Sequence, residues 1–157
     1  MSFEKAKAHL SKFGLENNIM EFDVSSATVP LAAAALGCQP GQIGKTLSFL
    51  VDEKPLLIVV AGDAKVDNKK FKAIFGKRPK MIAFEDVEGI IGHGVGGVCP
   101  FGINEGVPVY LDDSVKRFEI IHPAAGSSNS AVRVSCEELE KFSRAKGWIA
   151  VSKLPEA

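Results

Sequence analysis

Long apolar runs, paired cysteines and an excess of charge of either sign are all missing from this sequence. No stretch approaches the ~20 apolar residues of a membrane span, and Met1-Ser2-Phe3-Glu4-Lys5 opens without the apolar core of a signal peptide. A cytoplasmic protein with no membrane partner is expected. The 3 cysteines, Cys38, Cys99 and Cys136, are odd in number, far apart and without C-x-x-C or paired-histidine spacing. That argues against a disulfide framework and against zinc. Lys plus Arg number 19 and Asp plus Glu number 19, a formal net charge of zero, which argues against a protein that coats long nucleic acid by neutralising many phosphates. A local patch stays open. Lys65, Lys69, Lys70, Lys72, Lys77, Arg78 and Lys80 fall in one stretch opposed only by Asp67, either a solvated face or a surface for a polyanion. Repeats and low-complexity segments are also absent, and 157 residues that are 46% hydrophobic suffice for a single domain over 1–157 with a real core.

What is present is a mixture of helix and strand periods. Phe3, Ala6, Leu10 and Phe13 recur at helical spacing between Ser2, a candidate N-cap, and Gly14, a candidate stop. Met20, Phe22 and Val24 alternate with Glu21 and Asp23 as in a half-buried strand. Thr28 can cap a helix from Val29 to Leu36 that ends at Gly37. Residues 46–51 and 56–61 read as two strands joined by a turn at 52–55, the second apolar on both faces and therefore central in its sheet. Asp67 can cap a helix carrying Phe71, Ile74 and Phe75 and stopped by Gly76. A strand over 80–83 and a helix over 85–91 lead into a glycine-dense loop at 92–102. Then come a strand over 107–111, a turn or helical segment at 112–114, and strands over 118–121 and 131–134 either side of a loop at 124–129. Ser135 and Glu138 form a capping box for a helix with Leu139 and Phe142, for which Gly147 is the expected stop, and 148–151 read as a last strand. Without a regular βαβ period, the expectation is an α+β fold with a mixed, barrel-like sheet.

The loop at 92–102 holds five glycines in eleven residues, and glycine costs folding entropy unless positive φ or close approach requires it. Gly92, Gly94 and Gly97 spell G-x-G-x-x-G, but helix-like sequence precedes and Val98-Cys99-Pro100 follows, where a dinucleotide fingerprint needs a strand before and a helix after. A ligand cradled by main-chain N–H groups and a tight connection with no ligand both remain open. Gly44-Lys45-Thr46 resembles the end of a P-loop, yet Gln39 stands where that motif needs glycine, and the order of helix and strand is reversed. Lys45 then lies at the mouth of a buried strand, where its ammonium must face a cavity or the rim. Cys99 with His93 six residues away sketches a thiol nucleophile and base, against the reading of a small buried hydrophobe. His122 reads as structural or partly exposed, and Asp63, Asp112 and Asp113 sit at strand ends without the spacing of an acid/base pair.

Leu36-Gly37, Gly41-Gln42-Ile43-Gly44-Lys45-Thr46-Leu47, Val60-Ala61-Gly62-Asp63, the loop at 92–102, Val109-Tyr110-Leu111-Asp112 and Ala125-Gly126-Ser127, taken in order, resemble the YbaK-like family. That family comprises free-standing aminoacyl-tRNA deacylases and the editing insertion domain of bacterial prolyl-tRNA synthetases. The resemblance implies a mixed sheet curled into a partial barrel with flanking helices. It also implies hydrolysis of the ester between a wrongly attached amino acid and the 3′ adenosine of tRNA, with tRNA(Pro) carrying Cys or Ala as the expected substrate. By the same resemblance Lys45 matches the family's lysine, and Gly96-Gly97-Val98-Cys99-Pro100 its G-x-x-x-P loop. Lys45, Gly96, Gly97 and Pro100 are thus the implied catalytic set. Thr46, Gly62, Asp63, Val98, Cys99, Phe101, Gly102, Asp112, Gly126 and Asn129 are the implied substrate contacts, with Cys99 and Phe101 the positions expected to shape the amino-acid pocket. Loop N–H groups would stabilise charge on the ester carbonyl, each donor worth roughly 3 kcal/mol, while the ribose hydroxyl and a water carry the protons. No cofactor or metal is implied; the partner is the aminoacyl-adenosine end of tRNA, and prolyl-tRNA synthetase is a further candidate. The alternative is a relative that binds such an end without turning it over.

Overall fold

The structure, a computed structural model, describes residues 2–154, with the side chain of Ser2 and hence its expected cap outside the described set. The chain runs α1 (Ser2–Ser11), β1 (Ile19–Glu21), α2 (Val29–Leu36), β2 (Ile43–Val51), β3 (Lys54–Ala61), β4 (Lys65–Val66) and α3 (Asn68–Phe75). It continues through β5 (Lys80–Met81), α4 (Val87–Ile91), β6 (Val109–Asp112), β7 (Ile120–Pro123), β8 (Ser130–Val132), β9 (Val134–Ser135), α5 (Cys136–Phe142), β10 (Gly147–Ile149) and β11 (Ser152–Lys153). The main sheet has the order β10-β6-β3-β2-β7-β9, with β5 also paired to β2. It is mixed: β2 runs antiparallel to β3 and β5 but parallel to β7, and β6 runs parallel to both β3 and β10. The sheet curls through 223° as a half-barrel. Among the described residues no helix is long and apolar enough to cross a membrane.

The alternation of β3 explains its uninterrupted apolar sequence. Leu57 and Val59 face a core built with Ala6 and Leu10 of α1, Ile91 of α4, Phe101 and Leu139 of α5. Ile58 and Val60 face the opposite side, where Phe49 and Phe71 of α3 pack. Residues 57–61 are all fully buried, and each large side chain so placed contributes ~1.5–3 kcal/mol.

Helix starts follow local chemistry. The Thr28 side chain accepts from Leu31 N–H, Asp67 accepts from the N–H groups of Lys69 and Lys70, and Ser135 with Glu138 closes a capping box. Several ends differ from expectation. β2 begins at Ile43 because Ile43 and Gly44 pair with His122 and Pro123 of β7. β2 and β3 approach to a two-residue turn in which Asp52 and Glu53 both have positive φ, 52° and 64°. β1 stops at Glu21 and leaves Val24 61% exposed. Phe22 instead exchanges bonds with Asn129, its N–H donating to the Asn129 carbonyl at 2.8 Å and its carbonyl accepting from Asn129 Nδ2 at 3.0 Å. α5 closes at Ser143, and Arg144 takes the left-handed turn (φ 56°) expected of Gly147, which starts β10.

Candidate active site

One edge of β2 is paired with β3 from Gly44 to Val51. The other is held at both ends, by β7 at Ile43 and Gly44 and by β5 at Phe49 and Leu50, and is without a strand partner between them. The Ile82 N–H donates to the Ser48 carbonyl at 3.3 Å on that edge; since strand main-chain groups alternate edges with a period of two, those of Thr46 point into the gap. A cavity of about 370 Å³ opens over it, within the ~300–1,000 Å³ usual for small-molecule sites. Its walls come from remote segments: Ala27, Val29 and Ala32 at the head of α2; Ile82 and Phe84 after β5 and Val87 at the start of α4; Val95, Gly96 and Val98 in the glycine loop; Ala124 and Ala131 beyond β7. Lys45, Thr46, Ser48 and His122 supply polar groups. Two polar atoms of these walls, Thr46 Oγ1 and His122 Nδ1, are buried without a hydrogen-bond partner among the described residues, an arrangement that is costly unless a ligand or water satisfies them.

Lys45 is half-buried and its Nζ donates to the Ala64 carbonyl at 2.8 Å. Burial, then nearby Lys65, pull its pKa below the usual lysine value, and Asp63 opposes them. Asp63 itself is engaged by Arg117, whose Nη1 and Nη2 donate to its carboxylate at 3.1 and 2.5 Å, and that hydrogen bonding is the first cause holding its pKa down.

The glycines of the loop divide their tasks. Gly96 lines the cavity at a positive φ of 97°. Gly97 does not lie at positive φ; a Cβ there would meet Gly126 C at 2.6 Å and Ser127 N at 2.7 Å, so its lack of a side chain lets the loop lie against 126–127. Its N–H is already used, donating to the Gly94 carbonyl at 3.1 Å.

Other expected contacts fall away from the cavity. Cys99 and Phe101 are fully buried in the core and Pro100 is buried beside them. Gly102 (φ 69°) lies where a Cβ would strike the Lys5 carbonyl oxygen at 2.3 Å, making it the seat of α1. Gly62 is pressed against the Pro40 carbonyl oxygen, 2.2 Å from where its Cβ would be. Asp112 is fully buried, accepting from the N–H groups of Ser114 at 3.0 Å and Val151 at 2.9 Å and from Ser152 Oγ at 2.5 Å, a junction of the fold. Asn129 is taken up with Phe22 and Ser127. The structure therefore gathers Lys45, Thr46, Gly96 and Val98 on the cavity, with Gly97 and Gly126 behind the loop. Ala27, Val29, Ala32, Ile82, Phe84, Val87, His122 and Ala131 complete the walls; as scattered apolar or lone residues they carried no local signal in the sequence.

The sketched thiol nucleophile has no access to this space. Cys99 Sγ lies 3.5 Å from His93 Nε2, which is 2.6 Å from the Phe101 carbonyl oxygen, and both side chains are fully buried. Burial pushes the thiol up to about 12 and His93 below its ordinary value. Among the described residues no group of three or more His, Cys, Asp or Glu is placed to hold a metal ion.

Comparison with known proteins agrees with this architecture. Residues 24–142 match the aminoacyl-tRNA editing domain. The uncharacterized protein YwhH of Bacillus subtilis (strain 168) is 45% identical over 98% of both chains. A proline--tRNA ligase of Bacillus cytotoxicus is 36% identical over 53% of this chain, which corresponds to 15% of the ligase. Among solved structures, a proposed trans-editing enzyme for prolyl tRNA synthetase superposes with a TM-score of 0.87 at 27% identity, covering 97% of each chain. The hypothetical protein APE2540 superposes at 0.85 with 25% identity, covering 95% of this chain and 99% of that one. With the family model spanning most of the half-barrel and its cavity, this chain belongs to the aminoacyl-tRNA editing domain family.

Proposed function

We propose that the protein is a free-standing deacylase that hydrolyses the ester of mischarged tRNA, with tRNA(Pro) bearing Cys or Ala as substrate. The observation that carries this reading is the cavity at the break in the β2 edge, where Lys45, Thr46 and Gly96 meet small apolar walls. Water adds to the ester carbonyl, the tetrahedral intermediate collapses with loss of the ribose oxygen, that oxygen takes a proton, and free amino acid and tRNA leave. Main-chain N–H groups of Gly96, Val98 and Thr46, residues that line the cavity, stabilise the charge that develops on the carbonyl oxygen. A single donor of this kind is worth ~2.7–4 kcal/mol in an enclosed site. Lys45, anchored by the Ala64 carbonyl, holds the polar head of the substrate. Ala32, Ala124 and Ala131 are small walls that leave room for a short side chain. The proton transfers fall to water and the neighbouring ribose hydroxyl, consistent with a cavity whose one titratable side chain besides Lys45 is His122.

The test is deacylation of a panel containing Cys-tRNA(Pro), Ala-tRNA(Pro) and Pro-tRNA(Pro), together with other mischarged tRNAs. Hydrolysis of a small non-cognate ester with Pro-tRNA(Pro) spared is expected. Failure to hydrolyse any member of the panel overturns the reading.

A further inference from the structure

Exposed large apolar side chains are few among the described residues, and three of them line one cavity: Phe84 is 75% exposed, Met81 56% and Val95 53%. Single exposed apolar residues are ordinary, but a cluster at a cavity mouth is not. The local chain shows how it arises. Ile82 is turned into the core at 5% exposure, Val87 is buried at 3%, and the 3-10 turn Phe84–Asp86 between them carries the Phe84 ring outward. Val95 stands in the loop that follows α4. Charge is distributed unevenly along the segment that leads to Met81. Lys77, Arg78 and Lys80 immediately precede Met81 and end the basic stretch that begins at Lys65. Lys77 pairs with Asp52 and Lys80 with Glu53, whereas Arg78 carries no ion pair among the described residues.

An exposed aromatic ring with an apolar neighbour and cationic approaches is what a stacked nucleobase needs: every base presents a π-face, and the cations meet its phosphates. We propose that Phe84, flanked by Met81 and Val95, is the stacking platform for the terminal base of a single-stranded nucleic acid, holding that base on the rim while the 3′ ester enters the cavity. This deepens, and rests on, the deacylase reading. Phe84 is a positioning residue here: it touches the base and fixes where the ester lies.

The experiment uses two probes and three proteins, namely wild type, Phe84→Ala and Phe84→Trp. First, binding of the unacylated trinucleotide CCA is measured by calorimetry. Loss of one stacked base weakens binding about 5- to 150-fold, so Phe84→Ala is expected to lose about fivefold or more and Phe84→Trp to retain affinity. Second, kcat/KM is measured for aminoacyl-adenosine and for the same aminoacyl ester of a ribose without a base. The ratio of the two should fall about tenfold in Phe84→Ala and recover in Phe84→Trp. A structural defect would lower both substrates together and leave the ratio unchanged. Trinucleotide binding within twofold of wild type in Phe84→Ala, an unchanged ratio, or no trinucleotide binding by the wild-type protein overturns the proposal. Wild-type protein that binds CCA through Phe84 yet hydrolyses no ester sinks the deacylase reading and leaves the platform standing.

Discussion

Replacing Gly97 by alanine tests whether the loop is positioned by main-chain packing. The added Cβ would lie 2.6 Å from Gly126 C, 2.7 Å from Ser127 N and 2.8 Å from Gly126 O. All three are backbone atoms, so no side chain can swing away, and ordinary contact begins at 3.4 Å. One of the two segments must therefore retreat by most of an ångström. Overpacking of this kind costs about 1–3 kcal/mol, and valine should cost more because its branches add to the same overlap. Both segments adjoin the cavity, through Gly96 and Val98 on one side and Ala124 and Ser130 on the other, so catalysis should fall further than stability; misplacement by ~1 Å can cost on the order of 100-fold in rate. The assay is urea denaturation paired with deacylation for Gly97→Ala, Gly97→Val and Gly89→Ala. Gly89 is an internal control in α4, with nothing within 4 Å of its would-be Cβ, and should gain about 0.5–1 kcal/mol as alanine. A Gly97→Ala protein within 0.5 kcal/mol of wild type and with unaltered kcat/KM would refute the argument, a margin at about the resolution of such measurements.

Three further outcomes are expected. Lys45→Ala should keep its fold, judged by an unchanged urea m-value, and lose about 10- to 150-fold in kcat/KM, the worth of one charge-assisted hydrogen bond; turnover within about twofold of wild type would remove Lys45 from the mechanism. Cys99→Ala should cost about 1–2 kcal/mol for a small core deletion while retaining turnover, and the native thiol should resist alkylation, being buried with its pKa pushed up to about 12; an inactive Cys99→Ala beside an active Gly97→Val would reverse the assignment. Stability should be flat above the ordinary histidine value and decline as pH falls below about 6.5, because burial lowers the folded-state pKa of His9, His93 and His122, so the unfolded chain binds protons first. An identical urea midpoint at pH about 7.5 and about 5.5 would contradict this.

The elements that could be read in advance are those specified by their own residues. Thr28, Asp67 and the Ser135/Glu138 pair cap helices through bonds to main chain two or three residues on, and Gly37 and Gly76 close theirs in the left-handed region. β3 was legible as a central strand because both faces are buried. The start of β2 was not, because Ile43 and Gly44 become strand only when β7 arrives beside them from a distant part of the chain. The same division applies to the site. Lys45, Thr46, Gly96 and Val98 could be singled out in the sequence and line the cavity, whereas Val29, Ile82 and Ala131 become their neighbours only in three dimensions. Asp112 shows the opposite error: a carboxylate at a strand end suggests a pocket, yet its acceptors are spent on Ser114, Val151 and Ser152.

The gap in the β2 edge also bears on which contacts must form before the cavity exists. β2 and β3 form a hairpin of adjacent residues, which closes quickly. The two strands that bound the gap close longer loops: Met81 reaches Phe49 from about thirty residues away, and Pro123 reaches Gly44 from about eighty. A hairpin alone has an open edge and no cavity. The cavity therefore depends on contacts between segments far apart in sequence, and a species that holds only the β2–β3 hairpin lacks it.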